Sequence, residues 1–265
     1  MAGRIEQLTG VTVDTGVKLY RDKSINKGTR AIFDMSSQWS GGKASNATGA
    51  VIKSLSYEDS TGVLSLAHEY ANGGMTWAGV KSDQFQLPSQ FVPALSDKHW
   101  LFTVWLKITN GGVSGSNNQT LNIGPAYNSL FTYLRLLPTC DASGAATTIE
   151  VRCLSKNYVV TSALMPLYNG DVHQFAVECQ VSEDGTQQKV IMWLDKVSVY
   201  DSGFQATANT MPSDSSQRYI GTSTSLTRSF AGSFYRTRFD DLVASGLSAS
   251  SVLTADYSSS RTRFS

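Results

Sequence analysis

From about residue 100 onward, apolar and polar residues alternate with a period of two. In LFTVWLKIT, Phe102, Val104, Leu106 and Ile108 share one face, while Leu101, Thr103, Trp105 and Lys107 share the other. SLFTYLRLL sets Phe131, Tyr133 and Arg135 opposite Leu130, Thr132, Leu134 and Leu136. TTIEVRCL puts Ile149, Val151 and Cys153 on one side, with Glu150 and Arg152 on the other. In HQFAVECQV, Phe175, Val177, Cys179 and Val181 point inward and Gln174, Glu178 and Gln180 outward. Asp184-Gly185 in SEDGT is a hairpin signal, and KVIMWLDKVSVY resumes the alternation. Residues 173–200 therefore read as a hairpin with a short third strand. No stretch before residue 247 carries a helical period.

The first hundred residues are less regular. GTRAIFDM, GAVIKSLSYED and GVLSLAHEY read as strands, and TNGGVSGSNNQT (109–120) as a Gly/Ser/Asn connection. Residues 1–30 are polar with short apolar pieces, and suit an N-terminal arm or the first strands of the body at 31–265. With turn chemistry between strands spaced at roughly 8–15 residues, two antiparallel sheets packed face to face are expected. The 265 residues suit a jelly roll of this kind better than an immunoglobulin sandwich of ~100 residues.

The stretch FAGSFYRTRFDDLVASGLSASSV (230–252) bears on the closure of that sandwich. Gly232 lets the chain pass tightly, Phe230 and Phe234 plug the sandwich edge, and Tyr235, Thr237 and Phe239 alternate with Arg236, Arg238 and Asp240. Ser248 is placed to cap a short helix that returns Val252, Leu253 and Tyr257 to the body. The order DVHQFAVECQV, SEDGT, VIMWLDKVSVYDS, RYIGTSTS and then this closing stretch resembles the laminin-G-like branch of the concanavalin A-like lectin/glucanase superfamily. The resemblance covers the last third of the chain by motif and the middle third by strand pattern. It departs from the family pattern where Asp195-Lys196 replaces Asp-Gly, and where Ser250-Ser251 replaces a closing Glu. It implies an all-β antiparallel sandwich (jelly roll, concanavalin A-like) with a short C-terminal helical turn.

Composition narrows the chemistry. Net charge is +1, so no basic field draws the chain to nucleic acid or to an acidic membrane. No segment approaches the ~18 apolar residues of a membrane span. MAGRIEQLTGVTVDTG has no apolar core of a signal peptide, so synthesis in a cytoplasm and release by another route such as lysis are expected. The three cysteines, Cys140, Cys153 and Cys179, are an odd count, and Cys153 and Cys179 fall in phase with core residues. There is no Glu-x-Asp, Asp-x-Glu or Asp-x-Asp, and Asp240 and Asp241, being adjacent, face opposite ways on a strand. His68, His99 and His173 are isolated and match no zinc spacing. A non-enzymatic protein is expected.

What remains follows from the resemblance. Such sandwiches are commonly attached to phage capsids, tails and fibres. This implies a structural protein of a virion, most plausibly a bacteriophage particle, that decorates a capsid or joins a tail, with other virion proteins and its own copies as partners. The alternative is a carbohydrate-binding, lectin-like module that meets host-surface glycans. Lectin sites pair an aromatic platform with polar hydrogen-bonders, which points to Trp39 in SSQWSGG and Trp77 in ANGGMTWAG as ligand-binding candidates; anchoring of those loops to the core is the other role open to both. Many relatives hold Ca²⁺ at one rim, and Asp195 and Asp201, flanking the short third strand, are the candidate ligands, with surface charge as the alternative. No other cofactor is implied.

Overall fold

The computed structural model describes residues 22–44, 46–56, 60–91, 93, 97–114, 118, 120–124, 133–154, 156–206, 217–221 and 229–264. Among them the strands run in chain order as β1 (Thr29–Asp34), β2 (Val51–Lys53), β3 (Thr61–Leu64), β4 (Tyr70–Ala71), β5 (Gly74–Ala78), β6 (Gln84–Gln86), β7 (His99–Asn110), β8 (Leu121–Gly124) and β9 (Leu134–Cys140). They continue as β10 (Ala146–Cys153), β11 (Lys156–Val159), β12 (Val172–Val181), β13 (Gln187–Leu194), β14 (Val197–Asp201), β15 (Gln205–Ala206), β16 (Gln217–Gly221) and β17 (Ala231–Asp241). Two sheets result. The first has the order β14-β13-β12-β7-β17-β5-β4, with β1 also beside β17 and β15 beside β13. The second has the order β11-β10-β9-β8-β16-β6-β3-β2. The chain is an all-β antiparallel sandwich, as the alternation implies.

The inward faces match the expected phases. Phe102, Val104, Leu106 and Ile108 of β7 and Phe175, Val177 and Cys179 of β12 meet Leu134 and Leu136 of β9 and Ile149, Val151 and Cys153 of β10 in one core. Each such side chain contributes about 1.5–3 kcal/mol by leaving water. An aromatic cluster fills the other end, with Phe33 5.2 Å from Phe85 edge-on and 5.7 Å from Phe91 stacked. Tyr133 departs from expectation: it precedes β9 and packs in the core rather than sharing the outward face of Arg135. Residues 129–132 of that segment lie outside the described residues, as do 1–21 of the expected arm. The two residues Asp195 and Lys196 turn the β13–β14 hairpin at φ 49° and 64°, the left-handed pair of a tight two-residue turn.

β17 is central rather than an edge plug: it pairs with β7 on one side and with β5 and then β1 on the other. Its register shifts twice against β7, between Ala231 and Gly232 and between Phe234 and Arg236. The second shift leaves Tyr235 as the extra residue. Phe234 enters the core beside Trp77 and Phe85, while Tyr235 and Arg236 both lie on the outer face, Tyr235 against Phe264 and Trp105. Gly232 sits at φ 150°, and a Cβ there would lie 1.8 Å from the Lys107 carbonyl oxygen.

The outer face of the first sheet is closed by the C-terminus. The helices are α1 (Thr161–Leu164), α2 (Leu242–Ser245) and α3 (Ala249–Ser260). Asp241 caps α2 by accepting from the Ala244 N–H, and Ser248 caps α3 by accepting from the Ser251 N–H. The expected short helix is thus twelve residues long. Leu242, Ala249, Val252 and Leu253 cover Leu101 and Ala176. Beside this apolar patch lies a charged one. Arg236, Arg238, Asp34, Asp240 and Asp256 are all fully buried. Asp256 accepts from Arg236 Nε at 2.8 Å through one oxygen, and from Trp105 Nε1 at 2.7 Å and Gln174 Nε2 at 2.8 Å through the other. Arg236 also donates to Asp34 and Asp22, and Arg238 holds Asp240 by a two-point contact at 2.6 and 2.7 Å. Arg263, after α3, reaches Asp34 at 2.9 Å.

Burial alone would raise the Asp256 carboxyl, but the charges of Arg236 and Arg238 and the bonds from Trp105 and Gln174 outweigh it and hold it below the usual carboxylate range. Asp22 is held low in the same way, by Arg236 and Ser24 against its own burial. A folded-state value below the unfolded one gives stability above pH ~4 that is lost as pH falls through the folded value. Asp256→Asn is expected to remove about 3–5 kcal/mol by leaving two buried guanidinium groups under-compensated. Thermal melts from pH 7 to pH 3 should show a Tm about 10 °C lower at neutral pH and a weaker acid dependence than in the parent. Gly232→Val is expected to yield little soluble folded protein, because the new side chain meets backbone that cannot move; an unchanged melt would refute that account.

Candidate functional site

With the first sheet's outer face occupied by α2, α3 and the charged cluster, the outer face of the second sheet is the broad surface to consider. Alternation again decides which residues reach it. Val151, Leu136, Leu121, Ile220, Phe85 and Leu64 point into the core, so their strand neighbours point away. The pairings place those neighbours in one transverse line: Asn157 opposite Arg152, Arg152 opposite Arg135, Arg135 opposite Asn122, and Asn122 opposite Tyr219. The line continues through Gln86 and Val63 to Val51 on β2. Eight strands at ~4.8 Å spacing make it about 34 Å long.

The line is built of planar hydrogen-bonding groups. Arg135 Nε donates to the Asn122 side-chain oxygen, and Arg152 Nε donates to that of Asn157, so a neighbouring amide orients each guanidinium. Arg152 also lies 3.6 Å from Glu150. Arg135, Asn122 and Tyr219 at the centre are buried although they face away from the core, while Asn157 and Gln86 are exposed. Trp39 belongs to the loop running alongside β2, where the Ser40 carbonyl accepts from the Lys53 N–H at 2.8 Å. Trp39 is 51% exposed, and Val51 on β2 is 54% exposed.

Trp77 corrects the expectation of an exposed platform. It is 3% exposed, with its ring centroid 4.6 Å from His68 and 5.4 Å from Phe230. The glycines around it serve packing instead: a Cβ on Gly74 would lie 2.7 Å from the Tyr235 ring, and one on Gly221 2.6 Å from the Trp77 ring. Asp195 and Asp201 are not brought together either, since they terminate opposite ends of β14. Asp195 accepts from His173 Nδ1 at 2.7 Å and from the Gln174 N–H at 3.0 Å. Asp201 pairs with Lys189 at 3.0 Å and accepts from the Gly203 N–H. Asp184 is spent on its own hairpin, where bonds from Ser182 and Thr186 hold its carboxyl at about 2. Among the described residues, no three His, Cys, Asp or Glu gather as a metal site.

The acidic neighbours Asp240 and Asp241 diverge as expected, one to Arg238 and the other to Arg30. The transverse line itself escaped the sequence. The alternation sets Arg135 opposite Leu134 and Leu136 and Arg152 opposite Val151 and Cys153, but the register that puts the two side by side is a property of strand pairing. The available signal is a polar, planar side chain in the outward phase of four successive neighbours.

No family model matches the chain, and no curated protein does. Solved structures are similar in fold. A Trypanosoma rangeli sialidase bound as a covalent intermediate with 2,3-difluorosialic acid is 13% identical with a TM-score of 0.60, over 91% of this chain and 34% of that one. The same sialidase with sialic acid gives 12% identity and a TM-score of 0.58 over the same shares. The chain thus spans about a third of the sialidase's length. Domain 4 of AbnA, a GH43 extracellular arabinanase from Geobacillus stearothermophilus in complex with arabinotriose, is 13% identical with a TM-score of 0.50, over 87% of this chain and 99% of that one.

His68 gives the region around Trp77 a pH response. Its Nδ1 lies 2.7 Å from the Thr76 carbonyl, which can only accept, and its Nε2 lies 2.9 Å from Asp83 Oδ1. Both nitrogens therefore carry protons in the favoured state. Burial opposes that charge, but the Asp83 carboxylate facing Nε2 and the Thr76 carbonyl accepting from Nδ1 prevail and raise the imidazole above 6.5. The stability this confers is complete below pH ~6.5 and is lost as pH rises through the folded value. Melts between pH 6 and pH 9 should show Tm falling in the parent and a flatter profile in Asp83→Asn; equal slopes would refute the assignment.

Proposed function

We propose that the chain is a non-catalytic carbohydrate-binding sandwich that lays an oligosaccharide across the outer face of its second sheet. The observation that carries this reading is the accessible part of that line, Arg152 and Asn157 toward β11 and Gln86 toward β2, since Arg135, Asn122 and Tyr219 between them are buried. Guanidinium and carboxamide groups held at fixed angles suit the paired hydroxyls of sugar rings. Trp39 supplies an exposed aromatic surface for a sugar's apolar face at the β2 end.

The fold likeness to an arabinanase domain solved with arabinotriose, almost all of whose length is covered, supports the reading. Binding without hydrolysis is favoured because Asp240 and Asp241, the adjacent acids, are taken up by Arg238 and Arg30. A place on a virus particle, with other virion proteins as partners, draws no support from the fold or from this face, and glycan binding is preferred to it. Ca²⁺ dependence likewise loses its candidate ligands, so binding should survive EDTA.

A glycan array followed by calorimetry tests the reading. Arg152→Ala, Asn157→Ala and Trp39→Ala, all at accessible positions, should each weaken the best ligand about 10-fold while leaving the melt unchanged. No ligand on the array, or full affinity in all three variants, would overturn the proposal, and release of reducing sugar would overturn its non-catalytic part.

A further inference from the structure

A second site lies on the opposite face of the sandwich. Where α3 ends, one part of the first sheet's outer face is left uncovered, and a recess of about 380 Å³ opens there. Its walls come from distant parts of the chain. Lys107 and Ser233 are partners across β7 and β17, and Thr109 is the next outward residue of β7. Asn72 stands in the tight turn between β4 and β5, at φ 50°. Tyr235 and Phe264, with ring centroids 5.1 Å apart, close the inner end.

This shape is built by backbone irregularities. The register shift at Gly232 and the one that expels Tyr235 lie on either side of Ser233. The Asn72-Gly73 turn touches the C-terminal segment so closely that a Cβ on Gly73 would lie 2.5 Å from the Arg263 carbonyl oxygen. Bulges that re-aim side chains around a concavity are a common accompaniment of binding sites.

The lining has a definite chemistry. Lys107 is its one charged residue, and it takes part in no ion pair among the described residues. Around it stand Asn72, Thr109 and Ser233 with an amide and two hydroxyls, and three aromatic residues, Trp77, Tyr235 and Phe264. Thr109 is already oriented, donating to the Ala231 carbonyl at 3.0 Å. A volume of this size falls at the lower end of small-molecule sites, which span about 300–1,000 Å³. One ammonium surrounded by neutral hydrogen-bonding groups selects a single negative charge on a polyhydroxylated body.

We infer that this recess binds one acidic sugar unit, its carboxylate on Lys107 and its hydroxyls on Asn72, Thr109 and Ser233. It is distinct from the transverse line on the second sheet and stands whether or not that line binds an oligosaccharide.

Glucuronate, glucose and inorganic phosphate, each titrated into the full chain and followed by amide NMR shifts, test the inference. Glucuronate should shift resonances of β7, β17 and the Asn72 turn, and glucose should not. Lys107→Gln should weaken glucuronate about 10-fold or more, the loss of one bond to a charged group, and Ser233→Ala should weaken it less, with both melts unchanged. Arg152→Ala should leave glucuronate binding intact, which separates this site from the other face. Absence of shifts with glucuronate, equal shifts with glucose, phosphate binding as tight as glucuronate, or full affinity in Lys107→Gln would each overturn it.

Discussion

Two guanidinium groups buried on the outer face of one sheet set the terms for the rest of the molecule. Arg236 and Arg238 belong to the strand at the centre of the first sheet, and neither touches water. Arginine cannot shed its proton to escape that environment, so carboxylates must be brought to it. They come from four separate places: Asp22 before the first strand, Asp34 at its end, Asp240 on the same strand, and Asp256 in the terminal helix. The segment just before β1 and the helix α3 are thereby tied to the central strand of the sheet. Docking of α3 is then more than apolar packing, because Asp256 must satisfy Arg236, Trp105 and Gln174 at once. A face committed in this way has little left to offer a ligand, except where the helix stops.

Much of the sandwich was legible because a strand has a period of two. The inward and outward sets of β7, β10 and β12 follow from counting, and the Asp184-Gly185 turn joins β12 to β13 where hairpin chemistry requires it. Ser248 marked the start of α3 for a physical reason as well, since its hydroxyl can satisfy an N–H that the first turn leaves unpaired. Counting fails where one residue is added. At Tyr235 the extra residue moves Arg236 to the same face, and strict alternation from Phe234 would have set Arg236 inward. Nothing in FAGSFYRTRF announces that step.

Trp77 and the pair Asp195 and Asp201 take the other role left open to each, core anchor and surface charge, for a different reason. Glycines near Trp77 resemble a flexible loop, yet Gly74 and Gly221 are there to admit the rings of Tyr235 and Trp77. Small residues beside a large aromatic can mean close packing as readily as exposure, and composition does not separate the two. Asp195 and Asp201 are near in sequence, but an extended strand between them carries them apart by about 3.3 Å per residue. Trp39, by contrast, has no strand phase to bury it, and it is exposed.

The two faces of the sandwich therefore solve opposite problems with the same residue types. On the first sheet, arginine and aspartate are matched oxygen for nitrogen and sealed beneath a helix, so their charges serve cohesion. On the second, Arg135 and Arg152 each donate to an asparagine side chain, and Arg152 also lies 3.6 Å from Glu150. An amide fixes the direction of a guanidinium through a neutral acceptor, a weaker bond than a carboxylate gives. The register that aligns these pairs across adjacent strands is set by the same core that buries Leu136, Leu121 and Ile220. A one-residue slip would send the arginines inward and the leucines out, so the fold's apolar phase is what holds the polar line in place.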